Sequence, residues 1–308
     1  MSYEQAIVIG LIQGIAELFP ISSLGQTVLI PSLIGGSWSQ LVAQQASSES
    51  PYLAFVVGLH VATALALISF FWQEWLAVIK GFITSLLNRR IRGDDERLAW
   101  LIVIATIPVG LTGLLLEHQL RTLFAKPLSA AVFLTLNGLI LLTGEWFRRR
   151  SRARWAPPVP AVAGGSDSES ADDPPIAASH PAPNLRLWDA VIIGVLQTSA
   201  LLAGISRDGV CMVAGLARGL NREQAARFAF MLSAPPIFAA GLLKLPDLFG
   251  PLGNGIRPQI LAGSVAAFLT AYFSVRFLVR YFRSGSLVPF ASFCLIFGVL
   301  CIIRFGVF

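Results

Sequence analysis

The chain has 308 residues, of which 55% are hydrophobic and only 13% charged, with a mean hydropathy of +0.70 and a formal charge of +6. A soluble domain carries about 25% charged residues, so the composition excludes a soluble globular protein and points to an all-α integral membrane protein. Three cysteines and three histidines, none at metal-ligand or disulfide spacing, argue against a zinc or disulfide framework.

No Lys or Arg precedes the first apolar run and no small-residue cleavage pattern follows it, so the first helix is expected to stay in the mature protein. That run, residues 4–30, is interrupted by Pro20, Ser22, Ser23 and Gly25. It reads as a half-helix to about Phe19, a turn, and a second half-helix from about Gly25. Broken backbone at membrane depth is tolerated only where it is buried in protein or lines a cavity. Residues 36–51 are polar. Tyr52–Trp72 is a first full span, with Trp72 and Trp75 at its boundary, where aromatic rings favour the interface. Within it His60 reads as a packing residue, kept as a minor candidate because ionisable groups inside a membrane are scarce. Residues 73–97 read as a polar loop with a short amphipathic helix near 75–87. Leu98–Leu116 is a second span, kinked by Pro108, and Leu128–Phe147 a third. Glu117 and His118 read as an external loop, and Glu145 with Arg148 as a helix end at the interface.

Residues 148–186 are of another kind, rich in Pro, Ala, Ser and acidic residues, and read as a disordered cytoplasmic linker that includes a solvated His180. Past it, the broken pattern returns. An offset of 184 pairs Ala6 with Ala190, Gly10 with Gly194, Gln13 with Gln197 and Ala16 with Ala200. It also pairs Leu18 with Leu202, Ile21 with Ile205, Ser22 with Ser206 and Gly25 with Gly209. One ungapped register holding both serines and both turn glycines argues for an internal repeat. Residues 1–147 are then a first membrane repeat and 187–308 a second. Spans at Phe228–Leu243, Ile260–Arg280 and Leu287–Ile303 complete six, with Pro235 and Pro236 breaking the fourth. The fold expected is an inverted-topology repeat of six transmembrane helices and two re-entrant broken pairs.

Charge orients it. If each broken pair enters and leaves by one face, Arg121, Lys126, Lys244, Arg257 and Arg304 share one side and Arg207 lies inside the second polar stretch. The other seventeen of the 23 cations fall on the opposite side, which the positive-inside rule makes cytoplasmic. Topology therefore accounts for the basic charge, and nucleic acid is not an expected partner.

Two turns entering from opposite faces meet near the membrane middle. One, Gln13 to Gln26, reads QGIAELFPISSLGQ and offers Glu17, Ser22, Ser23 and Gln26. The other, Gln197 to Cys211, reads QTSALLAGISRDGVC and offers Ser206, Arg207, Asp208 and the amides near Gly204 and Gly209. An arginine at that depth needs an anionic partner, supplied by Glu17, Asp208 or a ligand. Arginine with hydroxyls and helix-N-terminal amides is a phosphate-binding inventory, and a carboxylate beside a serine pair supplies base and nucleophile. The residues alone leave three readings open: catalysis, ligand or lipid transport, and a structural role in which the serines cap helices and Glu17 pairs with Arg207.

ELFPISS followed at a distance by GISR resembles the two signatures of the undecaprenyl-diphosphate phosphatase (bacitracin-resistance) family, over nearly the whole chain apart from the linker. The resemblance implies six spans with two re-entrant pairs. It also implies removal of the terminal phosphate from a C55 polyprenyl diphosphate, with a divalent cation (Mg or Ca), regenerating the lipid carrier for cell-wall synthesis in a bacterial plasma membrane. By position, Ser23 matches the family's proposed nucleophile, Glu17 the second acidic residue of its first motif, and Arg207 the arginine that holds the diphosphate. Ser206 matches the serine before that arginine. Gln13, Ser22, Gln26, Gly204, Ser206, Asp208 and Gly209 are the remaining candidate substrate contacts, and Glu17 and Asp208 the candidate metal ligands. The chain departs from the family pattern at Gln13 (Glu), Gln26 (His), Ala203 (Pro), Asp208 (Ser) and Cys211 (Thr). A non-catalytic paralogue that binds or translocates a polyprenyl phosphate is the alternative, and assembly as a homodimer is left open.

Overall fold

In a computed structural model the chain is all helical, and the structure describes residues 1–45, 51–124, 126–155, 182, 185–250 and 254–307. The first broken pair is α1 (Tyr3–Ala16) and α2 (Ser23–Ile34), followed by the short α3 (Gly36–Gln45). Next come α4 (Pro51–Phe70), α5 (Trp72–Asn88), α6 (Asp94–Phe124) and α7 (Pro127–Trp155). The second broken pair is α8 (Leu187–Gln197) and α9 (Arg207–Ala217), joined by a 3₁₀ turn at Thr198–Leu201. The long helices α10 (Arg222–Phe249), α11 (Arg257–Tyr281) and α12 (Val288–Val307) complete the order.

Among the described residues, five stretches are long and apolar enough to cross a membrane: Asp94–Leu116, Pro127–Arg148, Arg222–Leu243, Arg257–Tyr281 and Val288–Val307; the bent pair α4 and α5, taken as one span, brings the number to six. Their outer faces are greasy: Leu115 is 77% and Leu261 67% exposed, which only lipid solvates without penalty. The protein is therefore an integral membrane protein.

Several boundaries differ from those read in the sequence. The amphipathic helix expected near 75–87 is present and longer, spanning Trp72–Asn88 and bent by 86° from α4. Its Val78, Gly81 and Ser85 are buried while Leu76, Ile79 and Ile83 are exposed. Glu117 and His118 lie within α6 rather than in a loop, and α7 runs eight residues into the expected linker, to Trp155. Polar residues with good helix propensity continue a helix already nucleated. Residues 156–181, including His180, lie outside the described residues, but the linker's end is packed: Leu185 and Ala182 are buried, and the Arg97 guanidinium donates to the Leu185 carbonyl.

Prolines do not break the spans. Helix α6 passes through Pro108, and α10 through Pro235 and Pro236. Each proline removes one helical hydrogen bond, yet unravelling the chain at that depth would strand several backbone groups. Glu145 is also more than a helix end. Only 4% exposed, it accepts from Arg222 Nε (3.0 Å) and Nη2 (2.7 Å), from Arg148 Nε (3.2 Å) and from the Leu287 amide (2.9 Å). One carboxylate thus ties α7 to the starts of α10 and α12.

The two halves interlock. Helix α1 packs along α11 and its repeat mate α8 along α6, while α4 with α10 and α7 with α12 form the other seams. Small residues allow the close crossings: a Cβ at Gly10 would overlap the backbone of Gly263, and one at Gly194 the backbone of Ala105. Gly10→Leu is accordingly expected to cost about 1–3 kcal/mol by overpacking, read as a lower Tm of the detergent-solubilised protein, whereas Gly110→Leu, with open space at its Cβ, leaves Tm unchanged.

Candidate functional site

Helix α1 ends at Ala16, and the chain turns through Pro20 before α2 begins at Ser23. The residue that reverses it is Ser22, at φ 65° and ψ 99°, a conformation that non-glycine residues seldom adopt. Its hydroxyl holds the turn. Ser22 Oγ accepts from the Gly25 amide of its own turn (3.3 Å) and from the Gly204 amide of the second turn (3.1 Å). Gly204 sits at φ 110°, and a Cβ on Gly25 would stand only 3.0 Å from Gly204 Cα. Both glycines are needed for this contact. In the second turn Ser206 repeats the capping role, accepting from the Gly209 amide at 3.2 Å.

Asn137 of α7, fully buried, joins the two turns. Its Nδ2 donates to the Pro20 carbonyl and its Oδ1 accepts from the Ser206 amide, both at 2.9 Å; Nδ2 also faces Cys294 Sγ at 3.4 Å. Sequence inspection missed Asn137, whose only signal is a carboxamide within an otherwise apolar span.

The turns enclose a cleft of about 310 Å³, including its open mouth, whose polar lining is Glu17, Ser22, Ser23, His60, Ser206 and Arg207. Leu24, Ala200 and Ile205 complete the wall. The Ser23 hydroxyl donates to Glu17 Oε2 at 2.5 Å, and Gln13 Nε2 donates to the same oxygen at 2.7 Å. His60 Nε2, on α4, lies 3.6 Å from that oxygen. Opposite, Arg207 starts α9, and its Nε and Nη1 are shielded from solvent with no hydrogen-bond partner in the protein. Two unpaired guanidinium nitrogens beside a hydroxyl-lined cleft leave room for an anion with several acceptor oxygens.

Of the residues expected from the sequence, the structure brings Glu17, Ser22, Ser23, Ser206 and Arg207 to the cleft, and Gln13 to Glu17. Gln26 is buried and turned back, its Nε2 donating to the Ile21 carbonyl at 3.0 Å. Asp208 is buried against α10, where Ser233 Oγ donates to its Oδ1, and does not line the cleft. Gly204 and Gly209 shape the second turn through their amides. His60, read as packing, is in the lining. Among the described residues no three His, Cys, Asp or Glu side chains cluster as a metal cage. Replacing Asn137 by Ala frees the Pro20 carbonyl and the Ser206 amide in a dry interior, so we expect a loss of about 2–4 kcal/mol, seen as a fall in Tm, whereas Thr143→Ala on the exposed face of α7 is silent.

Comparison with known proteins fits this geometry. The family model described as bacitracin resistance protein BacA matches residues 6–300. Undecaprenyl-diphosphatase 2 of Frankia alni is 53% identical over an alignment of 339 positions that covers all of this chain and 99% of the relative. Undecaprenyl-diphosphatase of Mycolicibacterium paratuberculosis is 53% identical over 97% of this chain and 95% of its own length. Undecaprenyl-diphosphatase 2 of Burkholderia thailandensis is 39% identical over 98% and 96%. Matched from near its first residue to near its last, the chain belongs to the bacitracin resistance protein BacA family.

Proposed function

We propose that this protein is a membrane phosphatase that removes the terminal phosphate of undecaprenyl diphosphate, recycling the cell-wall lipid carrier and so conferring bacitracin resistance. The activity is the one named for relatives 53% identical over almost their full length. The observation that carries it in the structure is the Ser23–Glu17 hydrogen bond facing an unpaired Arg207 across one cleft.

The chemistry follows from the placement. Arg207 draws the diphosphate into the cleft, where the terminal phosphorus faces Ser23. As Ser23 Oγ bonds to that phosphorus its proton passes to Glu17, already its acceptor, and the bond to the bridging oxygen breaks. Undecaprenyl phosphate leaves, carrying the electron pair of that bond. Water then bonds to phosphorus as the serine oxygen–phosphorus bond breaks; Glu17 returns the serine its proton, takes the water's and loses it to solvent, and inorganic phosphate leaves. The guanidinium offsets charge on the phosphoryl oxygens throughout. The headgroup enters by the open mouth of the cleft, while the isoprenoid tail stays in lipid.

The donor set also suits a divalent cation, Mg or Ca. Gln13 Oε1 is a buried acceptor without a partner in the protein, next to the Glu17 carboxylate. Mg²⁺ in particular is commonly held by only one or two protein oxygens, with phosphate and water supplying the rest. Glu17 with Gln13 would hold the ion, and Asp208, engaged by Ser233, would support the second turn. When bound, the ion would neutralise developing phosphate charge.

In the topology that supports this reading, the seventeen-cation face is cytoplasmic, the two turns enter from opposite sides, and the membrane is the bacterial plasma membrane. The test is phosphate release from undecaprenyl diphosphate by purified protein with Mg²⁺. Ser23→Ala and Arg207→Ala are each expected to lose about 10²–10⁴-fold in turnover, and chelation with EDTA to suppress wild-type turnover until Mg²⁺ or Ca²⁺ is restored. Wild-type turnover no higher than that of Ser23→Ala, with binding of the lipid intact, would replace this reading by that of a carrier.

A further inference from the structure

Helix α4 packs along α10 and α11, both of them spans, so it stands across the membrane with them. Helix α5 turns 86° from it and therefore runs close to the membrane plane. It crosses one end of the bundle. Arg227 Nη2, near the start of α10, donates to Glu74 Oε1 at 2.7 Å, and a Cβ on Gly81 would stand 2.9 Å from the backbone of Asp95 and Glu96, where α6 begins. Trp100 Nε1 donates to Ser85 Oγ at 2.9 Å. Trp72, Trp146 and Trp188 are exposed at this same end, as aromatic rings are at a membrane–water interface.

The helix has three faces. Val78, Gly81 and Ser85 meet the protein. Leu76, Ile79, Ile83, Leu86 and Leu87 form an exposed apolar stripe, at the spacing that puts them on one side. Lys80 falls at the edge of that stripe beside Gln73, with Asn88 beyond, and all three are exposed. A helix lying in a bilayer interface carries such a set, with acyl chains along one face and headgroups and water along another. The helix stops at Arg89, whose φ of 51° is left-handed, a position where glycine is the usual residue. Arg89, Arg90 and Arg92 are exposed on the turn that follows. The acids after them serve α6: Asp94, Asp95 and Glu96 form its first turn, where free amides favour negative charge, and Glu96 Oε2 accepts from the Arg92 amide at 2.6 Å.

We propose that α5 and the turn after it form a docking surface for anionic phospholipid. The apolar stripe lies among the acyl chains, and Lys80, Arg89, Arg90 and Arg92 extend along their aliphatic stems to the headgroup phosphates. A zwitterionic headgroup offers the same phosphate together with a cation, which these side chains repel, so the surface selects headgroups of net negative charge. None of its residues lines the cleft, and the surface stands apart from the phosphatase reading.

The experiment reconstitutes the full chain in phosphatidylcholine and compares, by electron spin resonance, how strongly spin-labelled phosphatidylglycerol and spin-labelled phosphatidylcholine associate with it. Wild type is expected to favour phosphatidylglycerol about two- to fivefold, and to lose most of that preference at about 0.5 M salt. A quadruple variant, Lys80→Gln, Arg89→Asn, Arg90→Gln and Arg92→Gln, is expected to show no preference while keeping the wild-type Tm in detergent; asparagine tolerates the left-handed position at 89. A control variant, Arg150→Gln, Arg276→Gln, Arg280→Gln and Arg283→Gln, removes as many cations from the same end and is expected to keep most of the preference. The proposal is overturned by a wild type without preference, or by a preference that survives salt or the quadruple variant. A control variant that loses as much as the quadruple variant also overturns it, because diffuse charge would then suffice. So does a fall in Tm of the quadruple variant, which would assign these cations to the fold.

Discussion

Breaking a helix inside a membrane strands amides and carbonyls that lipid cannot satisfy, each at a cost of several kcal/mol. The chain breaks two helices and lets each break satisfy the other. Ser22 of the first turn accepts the Gly204 amide of the second, and Asn137 receives the Ser206 amide while donating to the Pro20 carbonyl. Everything at the site depends on that exchange. It sets Ser23 at the start of α2 and Arg207 at the start of α9 on one cleft, and it explains why the closest approach of the turns is made by two glycines.

The scaffold repeats but the chemistry does not. At an offset of 184, the capping serines and turn glycines coincide, as do Gln13 and Gln197, both fully buried. Glu17, however, corresponds to Leu201 and Ser23 to Arg207. The first turn holds a carboxylate and a hydroxyl, and the second a cation. A repeated frame thus presents unlike groups to one cleft.

Much of this was legible in the sequence because it is local. Interrupted hydropathy revealed both turns, and the repeat register paired them. Glu17, Ser23 and Arg207 stood out because charge and hydroxyls are costly in an apolar run. What escaped was set by packing between distant segments. Asn137 and His60 sit singly in apolar helices, and nothing in their neighbours says which faces a turn and which faces lipid. Glu145 looked like a helix end because its partners, Arg222 and the Leu287 amide, lie 77 and 142 residues away. Asp208 and Gln26 were placed by motif position, while their side chains turn to Ser233, 25 residues away on α10, and to the Ile21 carbonyl of the same turn.

The crossed pairing of α1 with α11 and α8 with α6 has a consequence for how the protein is made. As the chain emerges from the ribosome, α1 enters the membrane with its glycine face uncovered and waits for a partner some 250 residues downstream. Helix α8 finds α6 already in place. The first turn is therefore seated last, after α11 has inserted, and a chain truncated before α11 leaves Ser23 and Glu17 on an unsupported hairpin.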